Sequence, residues 1–286
     1  MRRAPLLVAV SLSVACALQD CTRETIETSQ YWITTFFYRV FDISSCKTLA
    51  LNDGGVRSRV DFDGLMSALK QNSGLTSLKL ERGGIDESRA IALAQVLAQD
   101  SVLEELDLDG NSLIGVSGAR ALSKAFMAKR SALRVVDMEA CGLGDAGALA
   151  FREVLATKDS SLMVLDLENN NITNAGAIQL AKVLAKNSVL EELDLHSNAG
   201  ITARGAAAFL RALRRNKSLT KLSLPEPHVL QHVRQRRHHN RILRSIARLT
   251  AVNAAGRLSE AKMRWNQKSR RNRTRRRRRK RTRIGE

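Results

Sequence analysis

Apolar and polar positions alternate in a fixed hexapeptide grammar. Leu103-Glu104-Glu105-Leu106-Asp107-Leu108 returns letter for letter as Leu190-Glu191-Glu192-Leu193-Asp194-Leu195. Looser copies begin at Leu75, Leu133, Leu162 and Leu219, and a divergent first copy begins at Cys46. Successive first letters lie 29, 28, 30, 29, 28 and 29 residues apart. The alternating part of each copy predicts a short strand with its leucines on one face. After each copy the period changes: Ala119, Leu122, Ala125 and Phe126 have the spacing of one helical face. Strand, loop and helix therefore repeat from Cys46 to about Pro225.

A period in the high twenties built on L-x-x-L-x-L predicts an α/β leucine-rich repeat solenoid. About seven strand-helix units would form a horseshoe, with a parallel sheet on its concave side and helices on its convex side. A full helix in a unit of this length resembles the ribonuclease-inhibitor-like class of repeats. That class includes ribonuclease inhibitors, Ran GTPase-activating proteins and the sensor domains of nucleotide-binding immune receptors. The resemblance covers roughly residues 46–225 and implies a protein-binding solenoid. Asn111, Cys141, Asn170 and Asn198 stand at equivalent places after their strands. The resemblance implies that these side chains point inward as a structural ladder, serving backbone groups of adjacent turns. Gly54 and Gly83 hold that place in the first two units, so the ladder is expected to be weakest at that end.

The flanks differ. Residues 1–17 have the form of a secretory signal: Arg2 and Arg3, an apolar run from Leu6 to Ala15, then Ala15-Cys16-Ala17. The apolar run is too short to span a bilayer; an apolar capping helix is the alternative. Residues 18–45 gather Tyr31, Trp32, Phe36, Phe37, Tyr38 and Phe41, an expected N-terminal aromatic cap of helical type. Residues 226–255 predict a C-terminal capping helix, with Ile242, Leu243, Ile246 and Leu249 on one side and Arg237, Arg241, Arg244 and Arg248 on another. Residues 256–286 predict a disordered polybasic tail, because a block such as Arg275, Arg276, Arg277, Arg278, Arg279, Lys280 and Arg281 repels itself.

Charge separates these parts. The whole chain carries +19. Residues 226–286 hold 21 Lys or Arg against three acids, so the preceding 225 residues are almost neutral. The tail suits acidic partners, nucleic acid among them, and also resembles a nuclear localisation signal. The two ends thus point to different compartments: secretory pathway or extracellular space if the signal is used, nucleus or cytoplasm otherwise. Three sequons, at Asn171, Asn216 and Asn272, are compatible with secretion. The four cysteines show no paired metal spacing, and no disulfide framework is expected.

The outward letters of each strand carry the candidate chemistry. The fifth letter gives Asp107, Asp137, Asp166 and Asp194, one row across the sheet with neighbours roughly 4.8 Å apart. Glu105, Glu139, Glu168 and Glu192 are expected beside it. Crowded carboxylates predict a surface for a basic protein or peptide. The bland alternative is that Asp is only the repeat's consensus letter. The chain's own tail is a second possible occupant of the row. No nucleophile-base arrangement, phosphate loop, cofactor site or metal cage is evident, so no catalysis is expected, and the solenoid is expected to be a monomer. The Ran-type resemblance keeps a GTPase-activating role open, with Arg57 and Arg82 as candidate arginines.

Overall fold

The leucines of the hexapeptide are buried because each strand has only one face that can leave water. A computed structural model of the chain describes residues 20–22, 46–53, 59–99, 102–128, 131–157, 159–226 and 236–257, with the side chains of 20–22 and 59–61 excepted. Its strands are β1 (Asp20–Thr22), β2 (Thr48–Ala50), β3 (Ser77–Lys79), β4 (Glu105–Asp107), β5 (Val135–Asp137), β6 (Val164–Asp166), β7 (Glu192–Asp194) and β8 (Lys221–Ser223). They form one parallel eight-stranded sheet in sequence order. From β2 to β7 the central letter points inward: Leu49, Leu78, Leu106, Val136 and Leu165 are fully buried, and Leu193 almost so.

Helices follow the strands: α1 (Arg59–Gln71), α2 (Glu87–Leu97), α3 (Gly115–Phe126), α4 (Gly144–Ala156), α5 (Asn174–Leu184) and α6 (Ala203–Leu213). Each turns small residues toward its neighbour. Ala90, Ala119, Ala148, Ala177 and Ala206 hold the same place in successive helices and are all fully buried. A Cβ on Gly118 would sit 2.9 Å from the Cβ of Ala90, so close helix stacking requires glycine there. Phe126 and Phe151 bridge α3 and α4 with ring centroids 6.3 Å apart. Polar side chains also tie helix starts together. Asp145 accepts from Thr173 N–H at 2.8 Å and Gly176 N–H at 2.9 Å. Asn174 does the same for Thr202 N–H at 3.0 Å and Gly205 N–H at 2.7 Å.

A ladder of side chains runs behind the strand ends. The Asn170 amide donates to Met138 C=O at 2.6 Å and Glu168 C=O at 3.0 Å, and accepts from Cys141 N–H at 3.0 Å and Leu143 N–H at 3.2 Å. Asn198 accepts from Asn170 N–H and Ile172 N–H, each at 2.9 Å. Asn111 accepts from Ile85 N–H at 2.9 Å, while Gly83, which has no side chain to offer, donates its N–H to Leu80 C=O at 3.0 Å. The Cys141 thiol donates to Leu108 C=O at 3.2 Å. Burial pushes its pKa well up, so it stays a neutral thiol.

The C-terminal helix α7 (236–257) closes the last repeat. Ile242 and Ile246 bury their side chains, and Asn253 donates to Leu219 C=O at 2.9 Å. His239 Nε2 lies 3.1 Å from Pro225 C=O. A carbonyl can only accept, so Nε2 carries the proton. Burial holds this imidazole below its ordinary pKa, hence neutral.

The structure departs from the sequence reading in two places. Asp20–Thr22, inside the expected helical cap, is a strand that pairs with β2. Its backbone extends the sheet by one position and covers the β2 edge. The remainder of the aromatic cap, residues 1–17 and the tail from 258 onward lie outside the described residues. Cys46 is disulfide-bonded, against the expectation of no disulfide. Among the described residues no helix is long and apolar enough to cross a membrane.

The ladder predicts a large penalty for Asn170→Ala. Four backbone groups lose a buried partner, costing about 3–4 kcal/mol. A urea denaturation midpoint measures it, with the exposed Lys182→Ala as reference. Equal midpoints for the two variants would remove the ladder from the account.

Candidate functional site: the concave carboxylate face

The strand register places the four aspartates side by side. Asp107 pairs with Asp137, Asp137 with Asp166, and Asp166 with Asp194. Each also ends its strand. One Oδ1 accepts the backbone N–H two residues on: Asp109 at 3.1 Å, Glu139 at 3.0 Å, Glu168 at 2.8 Å and His196 at 2.8 Å. This is the Asx turn that Asp favours. The aspartates therefore have a structural job, and they perform it while leaving their charges in one line.

That line is electrostatically costly. Burial pushes the Asp137 carboxyl up to about 7, against the hydrogen bond from Glu139 N–H and with help from Asp166, Asp107 and Asp109. Asp166, Asp109 and Glu139 are also raised, with burial the largest cause in each. Among the described residues no basic side chain forms an ion pair with Asp137, Asp166 or Glu139.

The other expected acids are already engaged. Glu105 accepts from Lys79 at 2.9 Å and from Ser77 Oγ at 2.8 Å. Burial opposes its charge, but these bonds outweigh burial and hold its carboxyl below the usual range. Glu192 lies 3.3 Å from Lys221 Nζ. Glu168 accepts from Ser197 Oγ at 2.8 Å and lies 3.0 Å from His196 Nδ1. The His196 contact, the largest cause, holds Glu168 low and raises His196 in turn.

A second row runs beside the aspartates. Across the paired strands it reads Ser77, Glu105, Val135, Val164, Glu192, Lys221. Its centre is thus apolar, and Met163 precedes Val164 on the same strand end. All three are half-buried. The sequence reading took the face as acidic and missed this patch. The signal was present in the third letter of the same hexapeptide, where Glu gives way to Val in two copies.

Other candidates sort as follows. His196, Ser197 and Glu168 meet, but Ser197 and Glu168 both approach Nδ1, with Ser197 Oγ 3.0 Å away. A relay needs acid and nucleophile on opposite nitrogens, so the cluster is not a triad. No cluster of His, Cys, Asp and Glu among the described residues could hold a metal ion. Arg82 is paired with Asp53 at 2.9 Å and also with Glu81. Arg57 and the basic run from Arg275 to Arg281 lie outside the described residues. Asn216 is buried and donates to Leu184 C=O at 2.7 Å, so its sequon is a packing residue.

Asp137 holds its proton to about pH 7 in the fold and releases it near 3.8 when unfolded. Between those values the native state binds more protons, so stability falls as pH rises. Asp137→Asn keeps the Asx acceptor and removes the charge. After discounting for partial exposure, it should stabilise the protein by roughly 1 kcal/mol near pH 8 and by almost nothing near pH 4. Urea midpoints of both proteins at the two pH values check this; an effect independent of pH would contradict it.

The repeat pattern agrees with a family model. A family model described as Leucine Rich repeat matches residues 99–123, 158–181 and 186–210. No curated protein matches the sequence. Matching solved structures include one described as Leiomodin-1 Actin-Binding Site 2, 17% identical over 71% of this chain and 96% of that chain, with a TM-score of 0.41. Three stretches of the strand-helix solenoid thus match a leucine-rich repeat model.

Proposed function

We propose that the chain is a protein-binding repeat scaffold that takes a basic partner on its concave sheet and performs no catalysis itself. The observation that carries this reading is the in-register row Asp107, Asp137, Asp166 and Asp194, with no ion-paired cation at its centre among the described residues. Fixed like charges about 4.8 Å apart repel one another, and a cationic partner relieves that repulsion while forming charge-assisted hydrogen bonds. Val135, Met163 and Val164 add apolar contact beside the charges. A helix of 11 to 13 residues in each unit supports placing the repeats in the ribonuclease-inhibitor-like class. The GTPase-activating alternative gains nothing from Arg82, whose guanidinium is held in ion pairs.

A second reading, binding of nucleic acid or another acidic polymer by the C-terminal part, is favoured by one observation. Arg237, Arg241, Arg244 and Arg248 are exposed along α7. The disulfide at Cys46 supports an oxidising compartment, in line with the signal-like residues 1–17.

The binding test uses the full chain and a labelled peptide of alternating arginine and valine at low ionic strength. Replacing all four aspartates by Asn should weaken binding roughly tenfold or more, because the Asx acceptors survive and only the charges go. Binding of duplex DNA by the same variant should not fall. Unchanged peptide binding would move the site off the concave face. For compartment, N-terminal sequencing of protein from its native cell should start at Leu18. A start at Met1 would overturn the secretory reading.

A further inference from the structure

Val135 and Val164, paired across β5 and β6, and the adjoining Met163 are half-buried apolar side chains in a row flanked by Glu105 and Glu192. Water-exposed apolar surface beside a carboxylate row suits an occupant whose residues alternate between apolar and basic. One such segment lies in this chain: Lys262-Met263-Arg264-Trp265.

The place where α7 ends favours it. Arg257, the last described residue, forms an ion pair with Glu191. Glu191 N–H in turn donates to Met163 C=O at 2.8 Å. The chain therefore leaves α7 one strand away from Met163. Five further residues, extended, reach about 17 Å. The distance from β7 to β5 is two strand spacings, about 10 Å. Lys262 to Trp265 can thus lie over β5 and β6 with chain to spare.

The side-chain pattern fits as well. The apolar row through Val135 and Val164 runs beside the carboxylate row through Asp137 and Asp166. A chain extended between those rows sends alternate side chains to opposite sides. Met263 and Trp265 would then fall on the apolar row, and Lys262 and Arg264 on the carboxylates. Residues two apart in such a chain are separated by about 6.8 Å, against about 4.8 Å between strands, a mismatch that long side chains absorb. Residues 258–286 hold 14 Lys or Arg against two acids, so the charge complement continues past the segment. Lys79 and Lys221, the lysines paired on this face, are taken up by Glu105 and Glu192 at its two sides.

We propose that residues 262–265 dock across Val135, Met163 and Val164, with Lys262 and Arg264 toward Asp166 and Asp137, so that the tail masks the concave face until a partner displaces it. The proposal rests on reading that face as the binding surface. A tethered competitor acts at an effective concentration near millimolar, so an outside ligand of micromolar affinity binds the masked protein much more weakly.

The test uses full-length chains and a fluorescent peptide of residues 258–286 as probe, read by anisotropy at low ionic strength. One chain is wild type. The other carries Lys262→Ser, Met263→Ser, Arg264→Ser and Trp265→Ser. The probe should bind the substituted chain roughly tenfold or more tightly than wild type. Adding Val164→Lys to that chain should abolish the gain. Equal, tight binding to both chains would overturn the masking while leaving the concave face as a binding surface. A gain that survives Val164→Lys would overturn the docking position. Absence of binding to either chain would overturn the masking and the concave-face reading together.

Discussion

The turn that follows each strand must hide its own backbone polar groups, and the rest of the architecture depends on how that is done. An unpaired amide buried there would cost a few kcal/mol in every repeat. Asn111, Asn170 and Asn198 meet the demand with one side chain each, donating through Nδ2 and accepting through Oδ1 across the repeat boundary. Such a bridge tolerates no slip. It fixes how far each unit sits from the next, and thereby sets the register of the strands.

Register then decides the electrostatics. Once strands are locked side by side, the fifth letter of every hexapeptide falls in one line. The aspartates gain a turn-closing hydrogen bond from this position. They also acquire neighbours of the same sign, and burial leaves Asp137 with its pKa near 7. Local stability of the turn and global repulsion of the row come from the same four side chains. Asn would close the turn equally well without the repulsion. The persistence of Asp in four successive units is therefore the chemical reason for proposing a cationic partner on this face.

The repeat was legible because its period and its leucines obey a rule that holds in every copy. The ladder was legible at Asn170 for the same reason. Departures from the common letter were not. Val135 and Val164 replace the Glu of the third letter in two adjacent copies, and the strand pairing sets them side by side. The strand at Asp20–Thr22 carries no recognisable hexapeptide, so it was submerged in an expected helical cap. The disulfide of Cys46 sat at a repeat core position where a thiol reads as a small apolar group. Glu168 looked like one more free acid until the loop of the next unit brought His196 and Ser197 onto it. For the two strand pairings and for Glu168 the missing information was a contact between residues 28 or more positions apart.

Because the central claim concerns charge waiting for a partner, the most direct measurement follows the charge itself. A carbon-detected NMR titration of the Asp137 carboxyl would be run on the full chain with serine at 262–265, alone and saturated with the arginine-valine peptide. Alone, Asp137 should titrate near 7. With peptide bound, cations beside it should return the carboxyl toward the ordinary range near 4. A titration that stays near 7 with peptide bound would contradict the account.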